Sequence, residues 1–256
     1  MYLGMTAAEL IAGAERLPVC DDCGELRMEI EVLGQVHNVR VACRHQEAAG
    51  IEAQAVEARK QAGYTFAQRF GQPGISPLSG RTFGELAKGP GIEAAEAWVA
   101  EWPRQRKDTD RSWLILHGGV GAGKTTLAKA IARLVAADHW TVVIIEADRL
   151  LAELGDKDST AYAACCAADL LILDDLGMGH SAWWTVERLA SILHTRYERE
   201  LPLVVTSNHD KASMTRHWTE SAKGDETAAL RVASRLYDGL RSVVVDCGNT
   251  DRRAQR

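Results

Sequence analysis

Gly118-Gly119-Val120-Gly121-Ala122-Gly123-Lys124-Thr125 is the stretch that decides the fold. It is a complete Walker A phosphate loop, and its neighbours are those such a loop requires. The apolar run Trp113-Leu114-Ile115-Leu116 before it reads as a buried strand, and Leu127, Ala130, Ile131, Leu134 and Val135 after it recur at helical spacing. Glycines let the backbone curl until successive N–H groups point at phosphate oxygens, and the helix N-terminus adds its partial positive charge. Lys124 is expected to reach the β- and γ-phosphates and the Thr125 hydroxyl to sit on Mg²⁺, with Thr126 completing the loop. ATP with Mg²⁺ is therefore the expected ligand of residues 118–126.

Working outward, short runs rich in Val, Ile and Leu mark strands at Trp113–His117, Thr141–Glu146, Asp169–Asp174, Leu201–Thr206 and Arg241–Asp246. Helical stretches near 125–137, 147–154, 182–199 and 226–239 alternate with them, which predicts one doubly wound α/β domain with a five-stranded parallel sheet. Upstream, residues 1–19 read as a short amphipathic helix on Leu10, Ile11 and Ala14 with Thr6 as N-cap. Residues 46–62 are good helix formers ending at Gly63. Residues 71–81 have linker composition, so the expected division is an N-terminal module over 1–70 and an ATPase domain over 82–256.

No apolar run approaches the roughly 18–20 residues that span a bilayer, and the N-terminal residues offer neither a basic n-region nor a continuous apolar h-region, so a secretory signal is not expected. A cytoplasmic protein without a membrane partner is expected, so the six cysteines read as thiols or metal ligands. The net charge of −5 argues against a polycation that coats nucleic acid indiscriminately, but leaves room for a local basic groove.

Hydrolysis needs a carboxylate for the metal and a group that handles water. Leu170-Leu171-Ile172-Leu173-Asp174-Asp175 offers both at a strand end: Asp174 to hold Mg²⁺ through water, Asp175 to orient or activate the nucleophile. Many related ATPases carry Glu at the second position, and Asp is one methylene shorter. Val204-Val205-Thr206-Ser207-Asn208 follows, a strand ending in small polar residues. In ATPases with a strand inserted between the two Walker strands, this position holds a sensor side chain, and Asn208 is the amide that could bond both phosphate and water. Finally, Arg231 and Arg235 lie on one helix face, where an arginine can stabilise a neighbouring subunit's transferring phosphate.

In that order, these elements resemble the AAA+ ATPase domain of the DnaC/DnaI-type replicative helicase loaders, kin of the initiator DnaA and the transposition helper IstB. The residues that carry the resemblance are the Walker A loop, Leu171-Ile172-Leu173-Asp174-Asp175-Leu176-Gly177, Arg196-Tyr197, Thr206-Ser207-Asn208 and Arg231-Val232-Ala233-Ser234-Arg235-Leu236. The resemblance implies that Arg235 is the trans-acting arginine finger, with Arg231 a second candidate. It implies that residues 146–154 occupy the initiator-specific segment that contacts single-stranded DNA, although Arg149 is its only cation. It further implies self-association into an oligomer, a DnaB-type replicative helicase as partner, and ATP hydrolysis coupled to loading that helicase during DNA replication. The short stretch after the last strand suits a loader without a full helical lid. An IstB-like transposase helper, a P-loop small-molecule kinase and a slow assembly switch remain alternatives.

Cys20-x-x-Cys23 and Cys43-x-His45 bracket two alternating runs, Leu26–Leu33 and Val36–Val41, with Gly34-Gln35 suited to a type II′ turn. A hairpin with paired ligands at both ends brings four donors together, as in a Cys₃His zinc ribbon. His37 is the alternative fourth ligand, and a metal-free or redox module are the alternatives to Zn²⁺. Zinc-bearing N-terminal modules that engage the helicase occur in some loaders. Cys165-Cys166 reads as buried thiols, Trp183-Trp184 as core or interface, and Arg104–Lys107 as a solvated loop.

Overall fold

The computed structural model describes residues 7–32, 34–70, 81–86, 88–102, 111–153, 160–177, 183–221 and 226–252. The chain divides into two compact units, Met1–Ala58 and Arg59–Arg256. Thr6, the linker residues 71–80 and the basic run at 104–107 lie outside the described residues, as do the side chains of Trp183 and Trp184.

In the larger unit five strands form one parallel sheet: β3 (Trp113–His117), β4 (Val142–Glu146), β5 (Leu170–Asp174), β6 (Leu203–Ser207) and β7 (Ser242–Asp246), in the order β4-β5-β6-β3-β7. Each expected strand is present to within two residues. Successive side chains of a strand point to opposite faces, and here both faces are covered. Trp113, Ile115, Leu171, Leu173, Leu203 and Val205 join the core under α7 (Trp183–Glu198) and α9 (Glu226–Leu236). Leu114, Leu116, Ile172 and Val204 join the core under α3 (Pro90–Ala100) and α4 (Lys124–Ala137). That two-sided burial is why the strands read as continuous apolar runs. Helices α3 and α8 (Lys211–Ser221) were not expected from the sequence; α3 opens on Gly89-Pro90-Gly91, which reads locally as a turn.

Strand β6 pairs with both β3 and β5, so the strand ending in Ser207 stands between the two Walker strands. The carboxyl ends of β3, β5 and β6 thus lie side by side, where ligands of open α/β sheets bind.

In the smaller unit, α1 (Ala7–Glu15) precedes an antiparallel hairpin of β1 (Arg27–Val32) and β2 (Gln35–Arg40). Val32 pairs with Gln35, so Gly34 occupies the second connecting position with φ +78°, not the first position of a II′ turn. Helix α2 (Arg44–Phe70) runs through Gly63 instead of stopping there. A mid-helix glycine costs only about 1 kcal/mol, and the part of the helix from Arg59 on belongs to the larger unit, where Phe66 packs on that unit's own core.

Candidate functional site

The phosphate loop follows β3. Its glycines are structural requirements: Gly118 has φ +142° with a would-be Cβ 2.6 Å from the Gly248 carbonyl, and Gly123 caps α4 at φ +92°. Lys124 is buried, and its Nζ donates to the carbonyls of Gly118 (2.9 Å) and Gly119 (2.8 Å) and to Asn208 Oδ1 (2.7 Å). The Asn208 amide in turn donates from Nδ2 to Asp175 Oδ1 at 3.1 Å. One side chain at the end of β6 thereby joins the Walker A lysine to the second Walker B carboxylate.

Thr125 Oγ1 donates to Asp174 Oδ1 at 3.0 Å, so the two groups expected on Mg²⁺ are neighbours. Mg²⁺ is held through one or two carboxylates plus phosphate oxygens, and a hydroxyl beside a carboxylate fits that need. Thr206 Oγ1 donates to the same carboxylate oxygen at 2.6 Å and accepts from the Asp175 N–H at 2.8 Å. Asp175 adopts φ +58°, a conformation uncommon for a non-glycine residue, and this turns its carboxylate back toward Asn208. Burial first, and then the Asp174 charge, raise the Asp175 carboxyl above the ordinary aspartate range, while Lys124 opposes the shift. A carboxyl so placed is suited to accept a proton from water.

One cleft of about 340 Å³ is lined by Lys124, Thr125, Asp175 and Asn208 together with Glu85, Leu86 and Ile92. Arg81 and Arg252 also line it, and neither stood out in the sequence. Arg231 and Arg235 do not line it. Arg231 is exposed on α9, and Arg235 Nη2 lies 3.0 Å from His194 Nδ1 with its guanidinium 5.8 Å from the Tyr197 ring centre. In the segment proposed for DNA, α5 (Ala147–Glu153) buries Leu150 and Leu151 and pairs Arg149 with Glu153 at 2.9 Å.

Arg196 proves to be architectural. It is fully buried, and its guanidinium donates to the carbonyls of Cys165 (2.7 Å), Ala168 (3.0 Å) and Pro202 (2.5 Å). Cys165 and Cys166 are buried thiols, the first pushed up to about 12 by desolvation.

In the smaller unit the ligand atoms of Cys20, Cys23, Cys43 and His45 all lie within 4.8 Å of one another. His45 Nδ1 stands 3.2 Å from Cys23 Sγ and 3.9 Å from Cys20 Sγ, on either side of the N···S spacing of about 3.6 Å that tetrahedral Zn–N and Zn–S bonds impose. His37, on β2, is outside the group. Cys20 and Cys43 are also, with Val39, the unit's buried apolar side chains among the described residues. So slight a core is marginal for a domain of this size, and a metal cross-link would add to it. The donor set fits Zn²⁺, which would supply structural cross-linking.

The sequence profile of the family described as IstB-like ATP binding protein matches residues 107–256. The replicative helicase loader DnaI of Bacillus subtilis (strain 168) is 27% identical over 169 residues, 62% of this chain and 54% of that protein. The chain thus spans about half the length of this relative. A crystal structure of DnaI superposes with a TM-score of 0.55 at 27% identity, covering 66% of this chain and 92% of that one. The AMPPCP-bound DnaA from Aquifex aeolicus superposes with a TM-score of 0.51 at 22% identity, covering 67% and 51%, and shares the fold.

Proposed function

Because the chain belongs to the IstB-like ATP-binding family, we propose that it is a Mg²⁺-dependent ATPase that loads a DnaB-type replicative helicase onto single-stranded DNA. The observation that carries the reading is Asn208, whose amide spans Lys124 and Asp175 at 2.7 and 3.1 Å. In this reading the phosphates displace the loop carbonyls from Lys124, and Thr125 and Asp174 hold the metal. Asp175 takes the proton of the water that attacks the γ-phosphorus, ADP leaves, and Asn208 reports the change. Arg235, held by His194 and Tyr197, serves the site of an adjacent subunit, with Arg231 beside it. The zinc-bearing module grips the helicase. The relationship to DnaI supports the choice of partner, and the protein works in the cytoplasm.

The test is size-exclusion with light scattering on the full chain with a non-hydrolysable ATP analogue, single-stranded DNA and the host replicative helicase. An ATP-dependent assembly containing the helicase is expected; a chain that ignores the helicase under all conditions overturns the reading. The family match also favours a second reading, an ATP-dependent helper of a DNA transposase. Capture of a transposase in place of the helicase in the same experiment would establish it.

A further inference from the structure

Helices α7 and α9 pack side by side under one face of the sheet, and Arg235, in the last turn of α9, reaches across to α7. Its Nη2 lies 3.0 Å from His194 Nδ1, and its guanidinium centre stands 5.8 Å from the middle of the Tyr197 ring. Nε is buried with no hydrogen-bond partner among the described residues.

The two neighbours on α7 are not equivalent. Tyr197 is engaged elsewhere: its hydroxyl donates to Asp238 at 2.7 Å, its ring stands edge-on to Trp113, and the Arg241 guanidinium lies 4.0 Å from the ring centre. A second guanidinium at 5.8 Å is at the outer limit of a cation–π contact, so the ring does little to orient Arg235. His194 does orient it. A guanidinium carries only donors, so Nδ1 must present its lone pair and the ring proton must sit on Nε2. Glu198, one turn further along α7, stands 3.7 Å from the same nitrogen, outside hydrogen-bond range. The His194 side chain is 54% exposed, so it fills no core and its removal opens no cavity.

We propose that His194 is a positioning residue for hydrolysis in the adjacent subunit: its Nδ1 fixes the guanidinium of Arg235, which acts on a site that its own chain does not contain. This rests on the reading of Arg235 as the residue that completes a neighbour's site. An arginine loses much rotamer freedom when its guanidinium is fixed. A hydrogen bond to a charged donor offsets that loss before the subunits meet, so the benefit appears in the transition state. ATP binding, which the phosphate loop and Lys124 of the other chain carry, does not draw on it.

The experiment mixes full-length chains and measures hydrolysis with single-stranded DNA and the host helicase present. An Asp175→Asn chain supplies Arg235 without a working site, and an Arg235→Ala chain supplies a working site without the arginine. His194→Ala in the Asp175→Asn chain is expected to lower the kcat of the mixture about tenfold, with the KM for ATP unchanged. In the Arg235→Ala chain the same substitution has no guanidinium left to release and should add nothing. His194→Asn sets a carbonyl oxygen close to the position of Nδ1 and should restore most of the rate. Nitrogen NMR of the wild-type imidazole should find the proton on Nε2, a preference lost in Arg235→Ala. Thermal melts check that each chain is folded. Equal losses whichever chain carries His194→Ala, no loss in either, or a proton resident on Nδ1 overturns the proposal. A mixture that regains no hydrolysis even with His194 intact overturns the trans role of Arg235 itself, and the proposal with it.

Discussion

At Asp174 Oδ1 two hydroxyls converge, from Thr125 at 3.0 Å and Thr206 at 2.6 Å, and the second also takes the Asp175 N–H. Thr206→Val would leave that N–H and one carboxylate lone pair without partners inside the fold. The expected cost is about 1–3 kcal/mol of stability, with kcat reduced more than ATP affinity, whereas Thr206→Ser is nearly silent. Denaturant titration and steady-state hydrolysis read both effects; a silent valine variant would show that the bridge does nothing. Asp175→Asn should lower kcat by about a hundredfold or more while ATP still binds, since only proton acceptance is lost. The raised Asp175 carboxyl gives this site a pH signature. The carboxylate form is needed for turnover, and a raised pKa keeps the neutral form to higher pH. The acid limb of kcat should therefore lie above the ordinary aspartate value of about 3.9 and vanish in Asp175→Asn. A limb at the ordinary value would remove Asp175 from the role of base.

At the scale of elements, Arg196 fastens the end of α6 (Thr160–Ala167) to the residue before β6 through backbone carbonyls. Arg196→Ala leaves those carbonyls unpaired around a cavity, for an expected loss of about 4 kcal/mol in chemical denaturation. A loss below about 1 kcal/mol would show that water replaces the guanidinium without strain. The hairpin of the smaller unit is the opposite case, since two strands alone are marginal in water. Cys43→Ala or a chelator should remove one zinc per chain and speed amide exchange across β1 and β2, while nucleotide binding in the larger unit persists. Slow exchange in the metal-free protein would mean that the hairpin stands without the cluster.

For the whole molecule the informative arginines are those outside the cleft. Arg235 lies against His194 and Tyr197, and the Tyr197 hydroxyl is itself anchored to Asp238 at 2.7 Å. If Arg235 completes a neighbour's site, Arg235→Ala and Asp175→Asn chains should each be inactive and regain part of the activity when mixed. Mixtures as inactive as their components would remove Arg235 from the trans role. How much of this was legible beforehand differs by residue. Lys124, Thr125, Asp174 and Asp175 were readable because the loop and the buried strand are local patterns. His194 and Thr206 were not, because their partners lie far away in the chain.

Sequence by itself determined the phosphate loop, the five strands, the paired carboxylates and the four donors of the Cys/His cluster. Each of these is set by neighbours within a few residues, through the geometry of a loop, a strand or a ligand pair. Tertiary structure alone decided that β6 stands between β3 and β5, and so brings Asn208 to both Lys124 and Asp175. It alone laid residues 247–252 across the loop and turned Gly89-Pro90-Gly91 from a turn into the start of a helix. The reason is that strand order and chain return are chosen by burial on both faces of a sheet, a property of the assembled core that no local stretch encodes.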